Sequence, residues 1–142
     1  MTNKNYHELI QDRIYIGSAD DVDDVMVNEK IDIVFDLRSE SPNVNFDSNR
    51  VHSPILDDAD QQDASVKNSI ERIVHAYNEG KKVYFHCQGG SNRTGTVAIG
   101  TLLSLGKANT IEEAEEIAKT KRSKINVKPE MKEALKRIFR NA

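Results

Sequence analysis

The sequence predicts a single-domain α/β fold, with a central, mostly parallel, twisted sheet flanked by helices. Three observations support this. Short apolar strands at residues 13–17, 31–37 and 83–85 alternate with segments of helical periodicity. The 142 residues suit one domain with a real core, and no repeat, low-complexity tract or linker divides them. A glycine-containing loop also joins the strand at 83–85 to a helix-forming run, and the carboxyl end of a parallel strand is the expected ligand site in such a sheet.

The elements follow in order. Residues 1–12 are polar and read as a lead-in, and Arg13-Ile14-Tyr15-Ile16-Gly17 reads as a first strand ended by glycine. Residues 18–30 space Val22, Val25 and Met26 as a helix does, with Ser18 or Asp20 as its N-cap. Asp20, Asp21, Asp23 and Asp24 lack the glycine and closing glutamate of a calcium loop and read as acids at a helix start. Residues 31–37 form a β-branched strand, broken by the Arg38-Ser39-Glu40-Ser41-Pro42-Asn43 run. A short strand at 50–56 enters the acidic loop 57–63. Residues 65–78 place Val66, Ile70, Ile73, Val74 and Tyr77 on one helical face, with His75 beside it as a half-buried packing residue and Gly80 beyond the end. Residues 96–105 are apolar enough for a buried central helix ending at Gly106. Thr110-Ile111-Glu112-Glu113 is a capping-box pattern that opens a helix to about Thr120. Pro129 suits the first turn of a last helix, with Met131, Leu135, Ile138 and Phe139 inward. The basic residues Lys119, Lys121, Arg122, Lys124 and Lys128 read as a solvated face.

Composition narrows the function. A net charge of −3 gives no general affinity for nucleic acid or acidic membranes. No apolar run approaches a membrane span, and the polar N-terminal residues hold no apolar signal core. One cysteine excludes an internal disulfide framework and a cysteine zinc cluster. A free thiol without an export signal leads to the expectation of a reducing, cytoplasmic location.

The chemistry concentrates in His86-Cys87-Gln88-Gly89-Gly90-Ser91-Asn92-Arg93-Thr94-Gly95. A strand, a tight glycine loop and a helix N-terminus make an anion site, because successive N–H groups point inward and the helix dipole adds to them. Such surroundings stabilise a thiolate, the nucleophilic form of cysteine. Thr94 is near enough in sequence to offer its hydroxyl to the Cys87 sulfur. Arg93, six positions after Cys87, presents a fork that matches two phosphate oxygens.

His-Cys, five residues, then Arg-Thr, with Gly90 third after the cysteine, resembles the signature of the cysteine-dependent protein tyrosine phosphatases, in their dual-specificity branch. The resemblance implies a dual-specificity phosphatase-like fold spanning residues 1–142. It also implies phosphoryl transfer to Cys87, with Gln88, Gly89, Gly90, Ser91 and Asn92 giving backbone donors to the phosphate alongside Arg93. His86 would orient the loop, and Thr94 would stabilise the departing thiolate. The family takes its general acid from a loop upstream of the cysteine strand. Here the candidates are Asp57, in Pro54-Ile55-Leu56-Asp57, and its neighbour Asp58; Asp60 and Asp63 read as solvated loop charges. Asp-Leu-Arg-x-Glu at 36–40 is similar to a family segment whose charges brace the active-site loops, and Arg122 resembles a structural arginine of the family.

No metal or cofactor is implied. The expected substrate is a phosphorylated protein, carrying phosphotyrosine or phosphoserine/threonine, and inorganic phosphate or sulfate would fit the same loop. Within the superfamily the alternatives are an RNA 5′-triphosphatase or a phosphoinositide phosphatase. Family members that act on phosphoinositides tend to carry basic residues in this loop, and none lies between Cys87 and Arg93, so the resemblance disfavours the lipid; net acidity disfavours the RNA. Outside it stand a rhodanese-type sulfurtransferase and a non-catalytic phosphate-binding module.

Overall fold

The computed structural model describes residues 5–40, 49–56, 58 and 60–140. Five strands form one sheet in the order β1-β2-β5-β3-β4. They are β1 (His7–Ile10), β2 (Ile14–Gly17), β3 (Ile33–Asp36), β4 (Arg50–His52) and β5 (Val83–His86). β2, β5, β3 and β4 run parallel, and β1 pairs antiparallel with β2. Every residue of β2, β3 and β5 is buried, as expected of parallel strands covered on both faces.

The alternation along these strands divides the core in two. Tyr15, Val34 and Tyr84 pack with Val22 and Val25 of α1 (Val22–Glu29). Ile14, Ile16, Ile33, Phe35, Val83 and Phe85 point the other way. They meet the apolar faces of α2 (Gln62–Asn78), α3 (Asn92–Ser104), α4 (Ile111–Lys121) and α5 (Pro129–Ile138). α3 lies among these helices with Val97, Ala98, Ile99 and Leu102 all buried. Each Val, Ile or Leu so buried contributes about 1.5–3 kcal/mol. No described helix is long and apolar enough to cross a membrane.

The structure departs from the sequence expectations in four places that matter. The polar segment read as a lead-in carries β1, which lies at the sheet edge and buries Leu9. α3 begins at Asn92, four residues before the expected Thr96, because Asn92-Arg93-Thr94-Gly95 already has helical geometry. His75, expected to pack, is exposed and faces Glu79 one turn on, at 3.5 Å. The first helix, expected over residues 18–30 with Ser18 or Asp20 as its N-cap, instead runs Val22–Glu29 with Asp21 at the N-cap, behind a 3-10 turn over Ala19–Asp21. Two later cap signals hold. Thr110 accepts from the Glu113 N–H, and Pro129 opens α5.

Candidate active site

β5 is the central strand, and Cys87 follows its last residue. The backbone from Cys87 to Gly90 then turns its carbonyls outward. Each of the four is held by an outside donor. The Cys87 carbonyl accepts from His86 Nδ1–H at 2.9 Å and the Gln88 carbonyl from the Ala19 N–H at 3.1 Å. Those of Gly89 and Gly90 accept from Arg122 Nη2 and Nε, at 3.2 and 2.9 Å. With the carbonyls fixed outward, the intervening N–H groups face in. Gly90 sits at φ +71°, and a Cβ there would lie 2.5 Å from the Gly17 carbonyl oxygen, so this position needs glycine.

The N–H groups of Gly90, Ser91 and Thr94 converge on the Cys87 sulfur, and Thr94 Oγ1 donates to it at 3.0 Å. The early start of α3 supplies this geometry, placing Arg93 and Thr94 in its first turn with the positive end of the dipole at the sulfur. Burial pushes the Cys87 thiol up. The Thr94 hydroxyl and the three N–H groups outweigh it and hold the thiol below its ordinary value.

A cavity of about 570 Å³ opens over the sulfur, lined by Ser39, Glu40, Cys87, Gly89, Ser91, Asn92, Arg93 and Lys128. Arg93 Nη1 and Nη2 donate to the two carboxylate oxygens of Glu40, at 2.8 and 3.5 Å. That bond, aided by the backbone and by Arg38, holds the Glu40 carboxyl at about 2. The Arg93 fork thus already engages a two-oxygen anion at the cavity edge.

The residues matched from 14 to 141 fit the family model of the dual specificity phosphatase catalytic domain. The chain belongs to this family. No curated protein matches it by sequence. Solved structures agree on the fold. Tk-PTP in its active form superposes with a TM-score of 0.79 at 22% identity, covering 99% of this chain and 100% of that one. PTPMT1 gives 0.79 at 19%, covering 95% and 94%. Human DUSP28 gives 0.79 at 14%, covering 96% and 93%. The chain is thus a phosphatase of the cysteine-dependent superfamily.

Within this family fold, the structure brings most of the expected residues together. Cys87 and Arg93 line one cavity with Gly89, Ser91 and Asn92, and Thr94 donates to the Cys87 sulfur. The Gln88 side chain points to the protein, its Oε1 accepting from Arg38 Nη1 at 3.1 Å. His86 is fully buried, and burial holds it below the ordinary histidine value. With Nδ1–H committed to the Cys87 carbonyl, it shapes the loop as a neutral ring. Asp57 lies outside the described residues. Asp58 is exposed, and its Oδ1 accepts from the Asp60 N–H at 2.9 Å, capping the turn that leads to α2. Asp63 is tied to Arg137 of α5.

Four further residues build the site, and of these only Lys128 had no signal in the sequence. Lys128 stands at the cavity because its N–H donates to Asn92 Oδ1 at 2.8 Å. Arg122, placed by charge on a solvated face, is instead fully buried under the loop. That matches the structural role implied by the family resemblance. Glu40 reaches Arg93, and Arg38 grips the fully buried Asp36 with bonds of 2.7–3.2 Å. The signal for these last two was the Asp-Leu-Arg-x-Glu segment.

Proposed function

We propose that this chain hydrolyses phosphotyrosine and phosphoserine/threonine in phosphorylated proteins through a cysteinyl-phosphate intermediate, in a reducing cytoplasm. The observation that carries the reading is the Cys87 sulfur, which faces three N–H groups and the Thr94 hydroxyl at 3.0 Å. An environment built for a sulfur anion supports a nucleophile.

In the proposed first step the thiolate attacks phosphorus, the P–O ester bond breaks, and the leaving oxygen takes a proton from a carboxylic acid. Arg93 and the loop N–H groups hold the equatorial oxygens, where charge collects. In the second step the same aspartate, now ionised, takes a proton from water as it attacks the cysteinyl phosphate. The S–P bond breaks, and Thr94 O–H stabilises the released thiolate. We assign the acid to Asp57. Asp58 already uses its carboxylate to cap the turn toward α2, which supports its neighbour.

Among the described residues, the cavity walls come from the loop itself, from Ser39 and Glu40, and from Lys128. PTPMT1, alike in fold, has been solved with PI(5)P. Here no lysine lies between Cys87 and Arg93, which supports a protein substrate over that lipid class.

The test is turnover of p-nitrophenyl phosphate, a phosphotyrosine peptide, a phosphothreonine peptide and PI(5)P, with and without chelator. The proposal expects peptide hydrolysis that is insensitive to chelator and lost in Cys87→Ser. Asp57→Asn should cost about 100-fold or more and flatten one limb of the pH profile, with a smaller loss for Asp58→Asn. Activity on PI(5)P alone, or activity that needs added metal, would overturn it.

A further inference from the structure

Arg122 joins the active-site loop to the N-terminal strand. Its Nε and Nη2 hold the Gly90 and Gly89 carbonyls. Its Nη1 reaches the other way, to the Asn5 carbonyl and to His7 Nδ1 at 2.9 Å. A guanidinium stays charged and can only donate. His7 Nδ1 is therefore the acceptor, and the ring is neutral with its proton on Nε2.

Protonating His7 would set an N–H against an N–H at that distance and add a second positive charge. The charges facing His7 are Arg122 and Lys124, beyond α4, and Asp21, before α1. Burial and the two cations outweigh the carboxylate and hold His7 below the ordinary histidine value. Arg122 is fully buried, and its three guanidinium nitrogens are all engaged, on the Gly89, Gly90 and Asn5 carbonyls and on His7. A displaced guanidinium must therefore move the loop or leave two of its carbonyls without a donor.

We propose that His7 is a positioning residue for the oxyanion loop: its neutral imidazole fixes Arg122 beneath Gly89 and Gly90, and protonation of His7 loosens the loop's grip on a phosphate-like anion. The proposal rests on reading this loop as the phosphate site. It gives β1, which no motif predicted, a part in the chemistry.

The experiment measures inorganic sulfate binding by calorimetry between about pH 5 and 8, where the charge of sulfate does not change. Wild type is compared with His7→Asn, which keeps an acceptor oxygen near Nδ1 but cannot titrate, and with His7→Leu, which has no acceptor. Thermal melts at each pH establish that each variant is folded. Loss of one hydrogen bond from a charged donor amounts to about tenfold. His7→Asn should match wild type near pH 8 and bind sulfate increasingly tighter than wild type as pH falls, by up to about tenfold once His7 carries a proton. His7→Leu should bind about tenfold more weakly than wild type near pH 8. A constant ratio of wild type to His7→Asn across the range overturns the proposal, and so does full-strength binding by folded His7→Leu. If His7→Leu does not fold, the ratio alone decides. Binding is read without turnover, so failure of the hydrolase reading would show separately, as sulfate binding with this dependence but no ester hydrolysis.

Discussion

Replacing Thr94 by valine removes one hydroxyl from the Cys87 sulfur and keeps the side chain's shape. Both residues are buried, and the bond is 3.0 Å long. A hydrogen bond to a charged group is worth about 1.5–3 kcal/mol. At about 1.4 kcal/mol per pH unit, the Thr94→Val thiol should titrate about 1–2 units higher than wild type, since the lost bond favours the ionised form. The same bond steadies the sulfur when it leaves the cysteinyl phosphate, so that step should slow roughly 10- to 150-fold. Two assays read this. Ultraviolet absorbance of the thiolate gives the titration midpoint. Rapid mixing with p-nitrophenyl phosphate should show a burst of nitrophenol in Thr94→Val, followed by slow turnover. An unchanged midpoint, or steady turnover with no burst, would refute the assignment of Thr94.

Three further perturbations bear on the frame of the site. Arg38→Ala leaves the buried Asp36 with the residue-38 N–H but without its guanidinium, which costs about 3 kcal/mol, or about 10 °C in Tm. Asp36 is held below the usual carboxylate value because the Arg38 bonds outweigh burial, so the wild-type pair's contribution is full above pH ~4 and fades below it. The variant's deficit should therefore hold from pH 7 down to about 4 and shrink below that, and a deficit under ~3 °C at pH 7 would count against the pair. Gly90→Ala puts a methyl group into the Gly17 carbonyl at a positive φ; sulfate affinity measured by calorimetry should fall more than about tenfold, and retained affinity would show that the loop is softer than described. Gly100→Ala brings a Cβ to 2.1 Å from Ile70 Cδ1 at the α2–α3 contact. Overpacking of about 1–3 kcal/mol exceeds the gain of about 1 kcal/mol in helix propensity, so Tm should drop. Adding Ile70→Val should restore part of it, and a double variant that melts at the sum of the two single losses would contradict the clash.

Much of this was legible in the chain because local rules and tertiary demands agree. Residues 83–105 announce strand, loop and helix in that order, although the helix starts at Asn92 and not Thr96, and the caps at Thr110 and Pro129 fall where the helices begin. What was not legible depends on partners distant in sequence. β1 reads as polar because it is an edge strand with mixed exposure and an antiparallel partner, so neither an apolar run nor clean alternation marks it. Arg122 sits among four lysines, and a basic run reads as solvated until the outward carbonyls of Gly89 and Gly90 supply a reason to bury it. His75 lies one position off an apolar stripe, where a small helical rotation decides between burial and exposure. Glu40 and Arg93 are 53 positions apart, and only the parallel pairing of β3 with β5 brings their loops together.

The measurement that tests the central claim most directly is intact-protein mass after rapid mixing with p-nitrophenyl phosphate and acid quench. A phosphoryl group carried on Cys87, lost with time and absent from Cys87→Ser, is the expected result. Ester hydrolysis that continues in Cys87→Ser at the wild-type rate would contradict it.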